Sequence, residues 1–491
     1  MSVFTIEAGL AILGLALLLV EAFKPDISRR TLGLTAIAGA VLALVLFSFV
    51  PHDTASLPGF IQPWHQLDNL AIFYKGFSLV ITILVLWLTL ECAPYLSRFT
   101  VDGKLAEMFS LPLIVCSGMM WMASARDLVT VFVSLELVTV SFYVLVAFAR
   151  KSSFSLEAGV KYLILGALST GILVYGIAWT YGATGTMSFD GIAKALANPA
   201  TSKTAALFGA AMLLCGLGFK VAAAPFHMWV PDVYQGAPTP VTAFLSVGSK
   251  AAGFVVLTRA LDAFLAQGSV IATEVQALLL VVGSLTVLLG SLPAMFQTSV
   301  KRLLAYSSIS HAGYLLLALA SRESARFDLS SGGIVAFYLA TYLPMTVLGF
   351  LGLGLMRANG LGEEIKDFTG LAKRNPFIAL LMTISFASLA GLPLTAGFLG
   401  KLFVFIGLAD HGYWGALSCA VIAAAAGFYY YFKTILAMYT TEGTDVPVLT
   451  FSTAAKSVAG ALALAILILG VYPKPLQGVL TSAPVVSSVS R

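Results

Sequence analysis

Four charged residues lie deep inside apolar stretches of the sequence: Glu136, Lys220, Lys250 and Lys401. A rise of about 1.5 Å per helical residue places Glu136 about 15 Å inside its stretch, near the middle of a bilayer core of about 30 Å, and the three lysines are also well inside. A charge at that depth costs at least about 2.5 kcal/mol, so it must face a partner or water. Lysine can become a neutral amine, whereas arginine stays charged. The four residues predict a buried proton path, with snorkelling lysines or a purely architectural ion pair as the alternative.

Two histidines could extend such a path, because an imidazole both accepts and donates a proton near neutral pH. His311 lies in an apolar segment that also contains hydroxyl side chains and is the predicted relay. His227 follows a helix-interrupting proline and is a second candidate relay. Lys75 is different, because it lies only about a turn inside the outer end of its helix and is expected to snorkel. No role is expected for the histidines of the predicted outer loops, His52, His65 and His411.

The sequence predicts no cofactor or metal site in this chain. The cysteines are isolated from one another in or beside apolar runs and are expected to be small buried hydrophobes: Cys92, Cys116, Cys215 and Cys419. Three spaced glycines lie within an apolar helix rather than in a phosphate-binding turn: Gly349, Gly352 and Gly354. No paired histidines have haem spacing.

The elements that must position these residues are transmembrane helices. Of the 491 residues, 59% are hydrophobic and only 10% are charged, and the mean hydropathy is +0.94. Soluble domains are about a quarter charged. The net charge of +5 therefore matters less than where the basic residues lie, and nucleic acid is not expected as a partner. The chain is predicted to be an integral membrane protein.

About fourteen apolar windows are long enough to cross a bilayer. The first has no basic segment before it and no cleavage site after it, so it is expected to be a retained helix. In chain order the windows are 4–22, 31–50, 69–92, 107–125, 127–149, 158–182, 205–229, 240–261, 275–296, 302–320, 332–356, 375–408, 412–434 and 455–472.

The distribution of lysine and arginine predicts the orientation. With the amino terminus outside, sixteen of the 28 basic residues fall on the inner side and eight on the outer side, and the other four are Lys75 and the three deep lysines. An even number of spans then places both termini on the outer, periplasmic side. The membrane is expected to be the bacterial inner membrane.

Two windows contain helix-breaking residues, Pro225 in the seventh and Gly391 to Gly397 in the twelfth. Irregular backbone at membrane depth is tolerated only inside protein or beside water, so the breaks predict a hydrated interior. Their separation of five spans favours two inverted five-helix repeats, spans 4–8 and 9–13. The predicted domains are 1–100 with three helices, 101–265 and 266–440 with one repeat each, and 441–491 with the last helix and tail.

Three motifs carry a family resemblance that extends over essentially the whole chain. They are Lys220-Val-Ala-Ala-Ala-Pro-Phe-His-Met-Trp-Val-Pro-Asp232 with its continuation to Lys250, Ser299-Val-Lys-Arg-Leu-Leu-Ala-Tyr-Ser-Ser-Ile-Ser-His311, and Gly391-Leu-Pro-Leu-Thr-Ala-Gly-Phe-Leu-Gly-Lys401. The sequence resembles the antiporter-like family shared by complex I and multisubunit cation/proton antiporters. Within it, the continuation Val233 to Phe244 and the lysine at 401 resemble subunit N of proton-translocating NADH-quinone oxidoreductase.

The resemblance implies a fold of fourteen helices and roles for the deep charges. It implies that Glu136 pairs with Lys220, that Lys250 is the central relay, that His311 follows it, and that Lys401 ends the outward path. It also implies that this chain moves protons and holds no cofactor. FMN, iron-sulfur clusters, NADH and quinone would be bound by other subunits, and the partners would be antiporter-like and small membrane-arm subunits in a lipid bilayer.

Three other functions remain open on the sequence. The chain could belong to a multisubunit cation/proton antiporter without redox coupling, since the same lysine pattern serves either. It could be a membrane scaffold whose charges only lock helices together. It could also serve a related quinone- or hydrogenase-linked complex with another electron donor.

Overall fold

The computed structural model describes residues 2–100, 103–321, 323–324, 329–440 and 451–481, and almost all of its ordered elements are helices. Thirteen helices in this part of the chain are long and apolar enough to cross a membrane. Two consecutive shorter helices, Pro376–Ala390 and Ala396–Asp410, together make a further span. The predicted all-helical membrane fold with about fourteen spans is confirmed.

The spans are numbered 1 to 14 in chain order. They are Val3–Phe23, Arg29–Phe49, Asn69–Leu96, Ala106–Ser124, Leu128–Val146, Ser153–Thr184, Lys203–Val221 with Trp229–Gly236, Thr239–Phe264, Ala272–Ala294, Val300–Ala320, Ser331–Ala358, Pro376–Ala390 with Ala396–Asp410, Trp414–Tyr439, and Thr453–Val471. The connecting helices are Thr54–Ser56, Ser97–Phe99, Phe189–Leu196, Ile365–Phe368 and Leu371–Arg374, and Lys474–Thr481 follows span 14. Glu323–Ser324 and Leu329–Ser330 form a short antiparallel pair.

Spans 8, 10 and 11 form the interior of the molecule. The most apolar window of span 8 is entirely buried, and those of spans 10 and 11 are 94% buried, against 33% for span 1 and 28% for span 14. Polar side chains are costly in lipid, so a buried helix is where they are tolerated. Lys250 and His311 lie on spans 8 and 10, in this interior.

Span 7 is broken where Pro225 predicts a break. Its first helix ends at Val221, and Ala222 adopts a left-handed conformation with φ of 66°. The exposed backbone is satisfied by side chains: Ala224 N donates to Thr286 Oγ1 of span 9 at 2.9 Å, and Trp229 Nε1 donates to the Phe219 carbonyl at 3.0 Å. These bonds meet the requirement that irregular backbone at membrane depth be paired within the protein.

Span 12 is broken at residues 391–395, also as predicted. Gly391 has φ of 95° and Leu394 has φ of 70°, so the chain turns through left-handed conformations before the second helix begins at Ala396. Ser388 Oγ accepts a hydrogen bond from Gly397 N across the break at 3.1 Å. The two halves of the span are therefore joined by a side chain rather than by continuous helical bonding.

Span 8 contains a feature that the sequence did not indicate. Residues Leu245–Ser249 form a π-helix, and Lys250 is the first residue after it. A π-helical turn widens the helix locally and re-aims the side chains that follow, and such turns are frequent at functional sites. The turn therefore sets the direction of Lys250.

The predicted snorkelling of Lys75 is wrong. Its side chain is 1% exposed and forms an ion pair with Glu7 of span 1. Its ammonium group also donates to the Met120 carbonyl at 2.7 Å and to Ser124 Oγ at 2.9 Å, both on span 4. The Lys75 side chain does not extend to the membrane surface because three hydrogen-bond acceptors contact its ammonium group inside the protein.

Two other expectations stay predictions. The repeat and domain boundaries are not tested by the fold alone, and part of the last domain, 441–450 and 482–491, lies outside the described residues. The orientation also stays a prediction, and three of its outer-side residues, Arg322, Arg326 and Arg491, lie outside the described part of the chain.

Candidate functional site

The first half of the candidate path joins spans 5, 6 and 7. Glu136 is half-buried on span 5, and its Oε1 accepts a hydrogen bond from Thr170 Oγ1 of span 6 at 2.8 Å. Lys220 is buried at the end of the first helix of span 7, and its Nζ donates to Thr139 Oγ1 at 2.7 Å. Thr139 lies three residues after Glu136, on the same face of span 5.

The implied pair of Glu136 and Lys220 is not a direct salt bridge. Among the described ion pairs, none joins these two side chains, and each instead bonds a different threonine. The carboxylate and the ammonium group still lie on neighbouring helices, close enough to interact electrostatically. The electrostatic attraction between the two groups therefore acts across a gap rather than through a shared hydrogen bond.

Lys220 and Lys250 lie on packed helices. Gly253 on span 8 faces Lys220 so closely that a Cβ placed on this glycine would lie 3.6 Å from a Lys220 side-chain atom, the Cβ. Because Gly253 is three residues from Lys250, it lies on the same face of span 8. The absence of a side chain at 253 brings the backbones of the two lysine-bearing helices together.

Lys250 is bound to span 10. Its ammonium group is buried and donates to both the carbonyl and the hydroxyl oxygen of Ser308. It also lies 5.5 Å from the centre of the Tyr342 ring, a cation–π arrangement with span 11. Lys250 therefore lies between spans 10 and 11, the two other helices of the buried interior.

Hydroxyl groups surround this lysine. Ser308 Oγ lies 3.3 Å from Tyr234 Oη and 3.4 Å from Ser246 Oγ, and Ser246 Oγ lies 3.0 Å from Tyr342 Oη. A hydroxyl both donates and accepts, so such a series can pass a proton by exchanging the direction of its hydrogen bonds. The cluster extends from Lys250 toward span 11.

His311 continues the series on span 10. Its Nδ1 lies 2.7 Å from Tyr338 Oη, and its ring centre lies 4.9 Å from that of Tyr342. Because Ser308 and His311 are three residues apart on one helix, the acceptor of the Lys250 bond and the imidazole share a face. The structure therefore brings Lys250, Ser308 and His311 together.

Lys401 lies on the second helix of span 12, beside the break. Its ammonium group donates to the carbonyl oxygens of Leu389 at 2.9 Å and Ala390 at 2.7 Å. It also lies 5.5 Å from the centre of the Tyr314 ring, which packs in turn against Tyr338 and His311. Aromatic rings from spans 10 and 11 thus occupy the space between His311 and Lys401.

His227 is not joined to this series. It lies in the break of span 7, half-buried, and its Nδ1 is buried with no described hydrogen-bond partner. Its backbone carbonyl accepts a hydrogen bond from Val230 N at 3.0 Å.

Several residues of the cluster were not singled out from the sequence. They are Thr139, Thr170, Tyr234, Ser246, Ser308, Tyr338 and Tyr342. Helical spacing was the signal that could have found some of them: Ser246 lies four residues before Lys250, Ser308 three before His311, and Tyr338 four before Tyr342.

The four cysteines are unpaired, and each lies on a different span. Across the described ranges, no group of three or more His, Cys, Asp or Glu side chains is arranged to hold a metal ion. The donor groups needed to ligate an iron-sulfur cluster therefore do not converge in this part of the chain.

Comparison with known proteins gives a consistent family. A family model described as NADH:quinone oxidoreductase/Mrp antiporter, TM, matches residues 125–427. The NADH-quinone oxidoreductase subunit N of Desulforamulus reducens is 38% identical, covering 98% of this chain and 98% of that protein. The subunit N of Trichlorobacter lovleyi is 41% identical, covering 89% of this chain and 87% of that protein.

A solved structure agrees with these sequences. A chain of respiratory complex I from Thermus thermophilus superposes with a TM-score of 0.79 and 30% identity, covering 97% of this chain and 99% of that one. With the fourteen spans, two broken helices and interior lysines of its described residues, this chain belongs to the NADH-quinone oxidoreductase subunit N family of antiporter-like membrane proteins.

Proposed function

We propose that this chain is the proton-translocating membrane-arm subunit of an NADH-quinone oxidoreductase. The observation that carries the proposal is the contact series from Lys250 through Ser308 and Ser246 to Tyr342, with His311 beside it. These groups are buried in the centre of the molecule, where polar side chains are retained only at a considerable cost. Their chemistry suits protons, because every member can both accept and release one.

The proposed path begins at Glu136 and Lys220. When Glu136 is ionised, its attraction favours the protonated form of Lys220, and weakening that attraction releases the proton toward Lys250 on the packed neighbouring helix. An opposite charge within about 4–6 Å changes the balance between the two protonation states by about 1.4 to 4 kcal/mol. That range is enough to switch the lysine between holding and releasing its proton.

The second half of the proposed path runs outward. A proton leaving Lys250 passes through the Ser308, Ser246 and Tyr342 hydroxyls to His311, whose ring packs against that of Tyr342. It then crosses the space occupied by the Tyr338 and Tyr314 rings to reach Lys401. Lys401 then releases it on the outer side. His227 is not a member of this proposed path, because its described contacts do not connect it to the series.

Electron transfer belongs to other subunits of the complex in this proposal. They would bind NADH, FMN, iron-sulfur clusters and quinone, while this chain contacts antiporter-like and small membrane subunits within the membrane arm. The whole assembly would lie in the bacterial inner membrane, with both termini of this chain on the periplasmic side.

Replacing Glu136 with Gln tests the proposal. In vesicles containing the purified complex, Glu136→Gln is expected to lower the number of protons moved per electron while NADH oxidation continues, because the charge that controls Lys220 is lost. The matched control is Glu157→Gln, which alters an exposed carboxylate of an i,i+4 pair on span 6. A Glu136→Gln complex that pumps at the wild-type proton-to-electron ratio would refute this part of the path.

The matching family model also covers Mrp antiporters, so cation/proton exchange is the second candidate function. The two functions differ in their energy source. Exchange of Na⁺ for protons that is independent of NADH would favour the antiporter. Proton movement that requires NADH, together with copurification of flavin and iron-sulfur subunits in mild detergent, would favour the oxidoreductase.

A further inference from the structure

A cavity that the proton path does not use opens at the ends of five spans. Its volume is about 290 Å³, and its lining includes Tyr95 at the end of span 3, Ser152 beside span 6, Gln235 at the end of span 7, Lys301 at the start of span 10 and Arg357 at the end of span 11. Span ends lie where the hydrocarbon core gives way to lipid head groups. The cavity is therefore placed at the depth of the phosphate layer.

Two cationic side chains converge on this cavity. Lys301 is 4% exposed, and its ammonium group donates to the carbonyls of Gln235 at 3.2 Å and Ala237 at 2.5 Å. Because an ammonium group has three N–H donors, these described contacts leave one for a ligand.

Arg357 contacts Tyr95 in two ways. Its Nη2 donates to Tyr95 Oη at 2.6 Å, and its guanidinium lies 5.4 Å from the centre of the same ring. One of the five N–H donors is used in this contact, and the planar fork of the others matches the oxygens of a phosphate group.

The charge balance of the cavity is positive. Glu363 is the one acidic side chain among the lining residues, against Lys301 and Arg357. Further basic residues flank the rim, since Arg98 precedes the lining residue Phe99 and Lys151 precedes Ser152. Basic pockets between transmembrane helices bind anionic lipid head groups.

We propose that this cavity binds a phosphate group, held between Arg357 and Lys301. The ligand chemistry is that of a phosphate ester or free phosphate, and the position at the span ends favours the head group of an anionic phospholipid. Bound there, the phosphate joins spans 3, 10 and 11 at the end of the central helices, and its negative charge together with that of Glu363 balances the charges of Lys301 and Arg357.

Protection of a cysteine in the cavity tests this proposal. The purified complex with Ser152→Cys is placed in nanodiscs of phosphatidylcholine, with or without phosphatidylglycerol. The cysteine is labelled with an uncharged maleimide, and the labelled peptide is quantified by mass spectrometry. Phosphatidylglycerol is expected to slow the labelling. In the Arg357→Gln background, about tenfold more of the anionic lipid is expected to be needed for the same protection, because one charge-assisted contact is lost.

Three controls separate the sources of the effect. Lys373→Gln removes an exposed cation on the same side of the molecule and should leave the protection intact, and Thr440→Cys, also exposed there, should be labelled at the same rate in both lipids. Inorganic phosphate added to phosphatidylcholine nanodiscs tests the free ion. Protection by phosphate would show that the site also accepts the free ion, whereas protection by phosphatidylglycerol alone would assign the site to the lipid head group. Labelling rates that neither phosphatidylglycerol nor phosphate changes, or protection unaltered by Arg357→Gln, would overturn the proposal.

Discussion

At the scale of single residues, the proposed proton path depends on lysine being able to exist in two charge states. Lys250 is the clearest case, because its ammonium group is buried and bonded to two oxygens of one serine. A hydrogen bond to a charged donor is about twice as strong as a neutral one. Loss of the proton therefore weakens the contact with Ser308, and the position of the amine depends on its charge.

Lys250→Arg separates proton transfer from simple charge. Arginine keeps the positive charge and the bonds to Ser308 but does not lose its proton, so we expect proton pumping to fall by at least tenfold while the complex still assembles. Pumping in vesicles and subunit content in the purified complex are the measurements. Lys373→Arg, at an exposed position, is the control. If Lys250→Arg pumped normally, the side chain would be a structural charge and the scaffold hypothesis would gain support.

The sequence revealed the charged members of the path and missed the hydroxyl members. Glu136, Lys220, Lys250 and Lys401 could be found because a charge at membrane depth is costly and therefore rare. Ser246 and Tyr342 gave no comparable signal, since serine and tyrosine are common in membrane helices and their partners lie on other spans. Only the packing of spans 8, 10 and 11 shows that these hydroxyls meet.

At the scale of helices, the two breaks are predictable and the π-helix is not. Pro225 and Pro393 mark the breaks directly, because proline removes a backbone donor. Residues 245–249, Leu-Ser-Val-Gly-Ser, contain no proline, and their serines and glycine do not by themselves specify a π-helix. Their geometry arises from packing against the surrounding helices, which a single sequence does not display.

Thr286→Val tests how the break of span 7 is stabilised. Valine has the shape of threonine but leaves the buried Ala224 N–H without its acceptor, so we expect the protein to lose about 1–3 kcal/mol of stability. The complex is heated with a thiol reagent, and mass spectrometry records the temperature at which the buried thiol of Cys116 reacts. That temperature reports the unfolding of this subunit within the complex. The control is Thr258→Val, which removes a hydroxyl bonded only to a carbonyl of its own helix. Equal effects of the two substitutions would show that the bond across the break contributes nothing.

At the scale of the whole molecule, spans 1, 3 and 4 are held together by a buried charge cluster. Glu7 and Lys75 are 68 residues apart in the chain, and span 4 supplies the remaining acceptors of the lysine. The sequence did not predict this pair because each residue alone resembles a charge near a helix end. Which charges face each other is a property of the tertiary packing.

Removing one member of this pair should lower the stability of the folded protein. Glu7→Gln leaves the Lys75 charge buried without its counter-ion, and we expect a loss of about 3–5 kcal/mol. The measurement is the temperature at which Cys116 becomes reactive in the purified complex. Glu157→Gln, in a pair whose side chains are 42% and 60% exposed, should cost no more than about 1 kcal/mol. A Glu7→Gln protein as stable as this control would contradict the assignment of the pair as a structural lock.

Stability should also decrease in acid because of His65, a buried residue in the loop between spans 2 and 3. Burial and the nearby charge of Lys75 lower the pKa of His65 to about 4, below its ordinary value of about 6.5. Because the unfolded chain binds the proton more readily than the folded protein, the folded protein is most stable above pH 6.5. That stability is lost as the pH falls from 6.5 through about 4.

The expected loss is on the order of 3 kcal/mol between these pH values. His65→Phe should therefore flatten the decrease in melting temperature between pH 6.5 and 4, measured by the same thiol labelling with a probe that reacts in acid. His411→Phe, at an exposed position outside this cluster, is the control. A parallel decrease in the wild type and in His65→Phe would show that the imidazole does not titrate with folding.

The contacts of Lys401 couple its charge to the backbone. The ammonium group caps the carbonyl oxygens of Leu389 and Ala390, the last residues before the chain turns at Gly391. When the lysine gives up its proton, these carbonyls lose the stronger of their available donors, and the first half-helix of span 12 can fray or take up water. In the proposed path, each proton that passes through Lys401 would therefore change the hydrogen bonding of these carbonyls. The amide I infrared band of isotope-edited Ala390 would record this cycle as a change in carbonyl frequency.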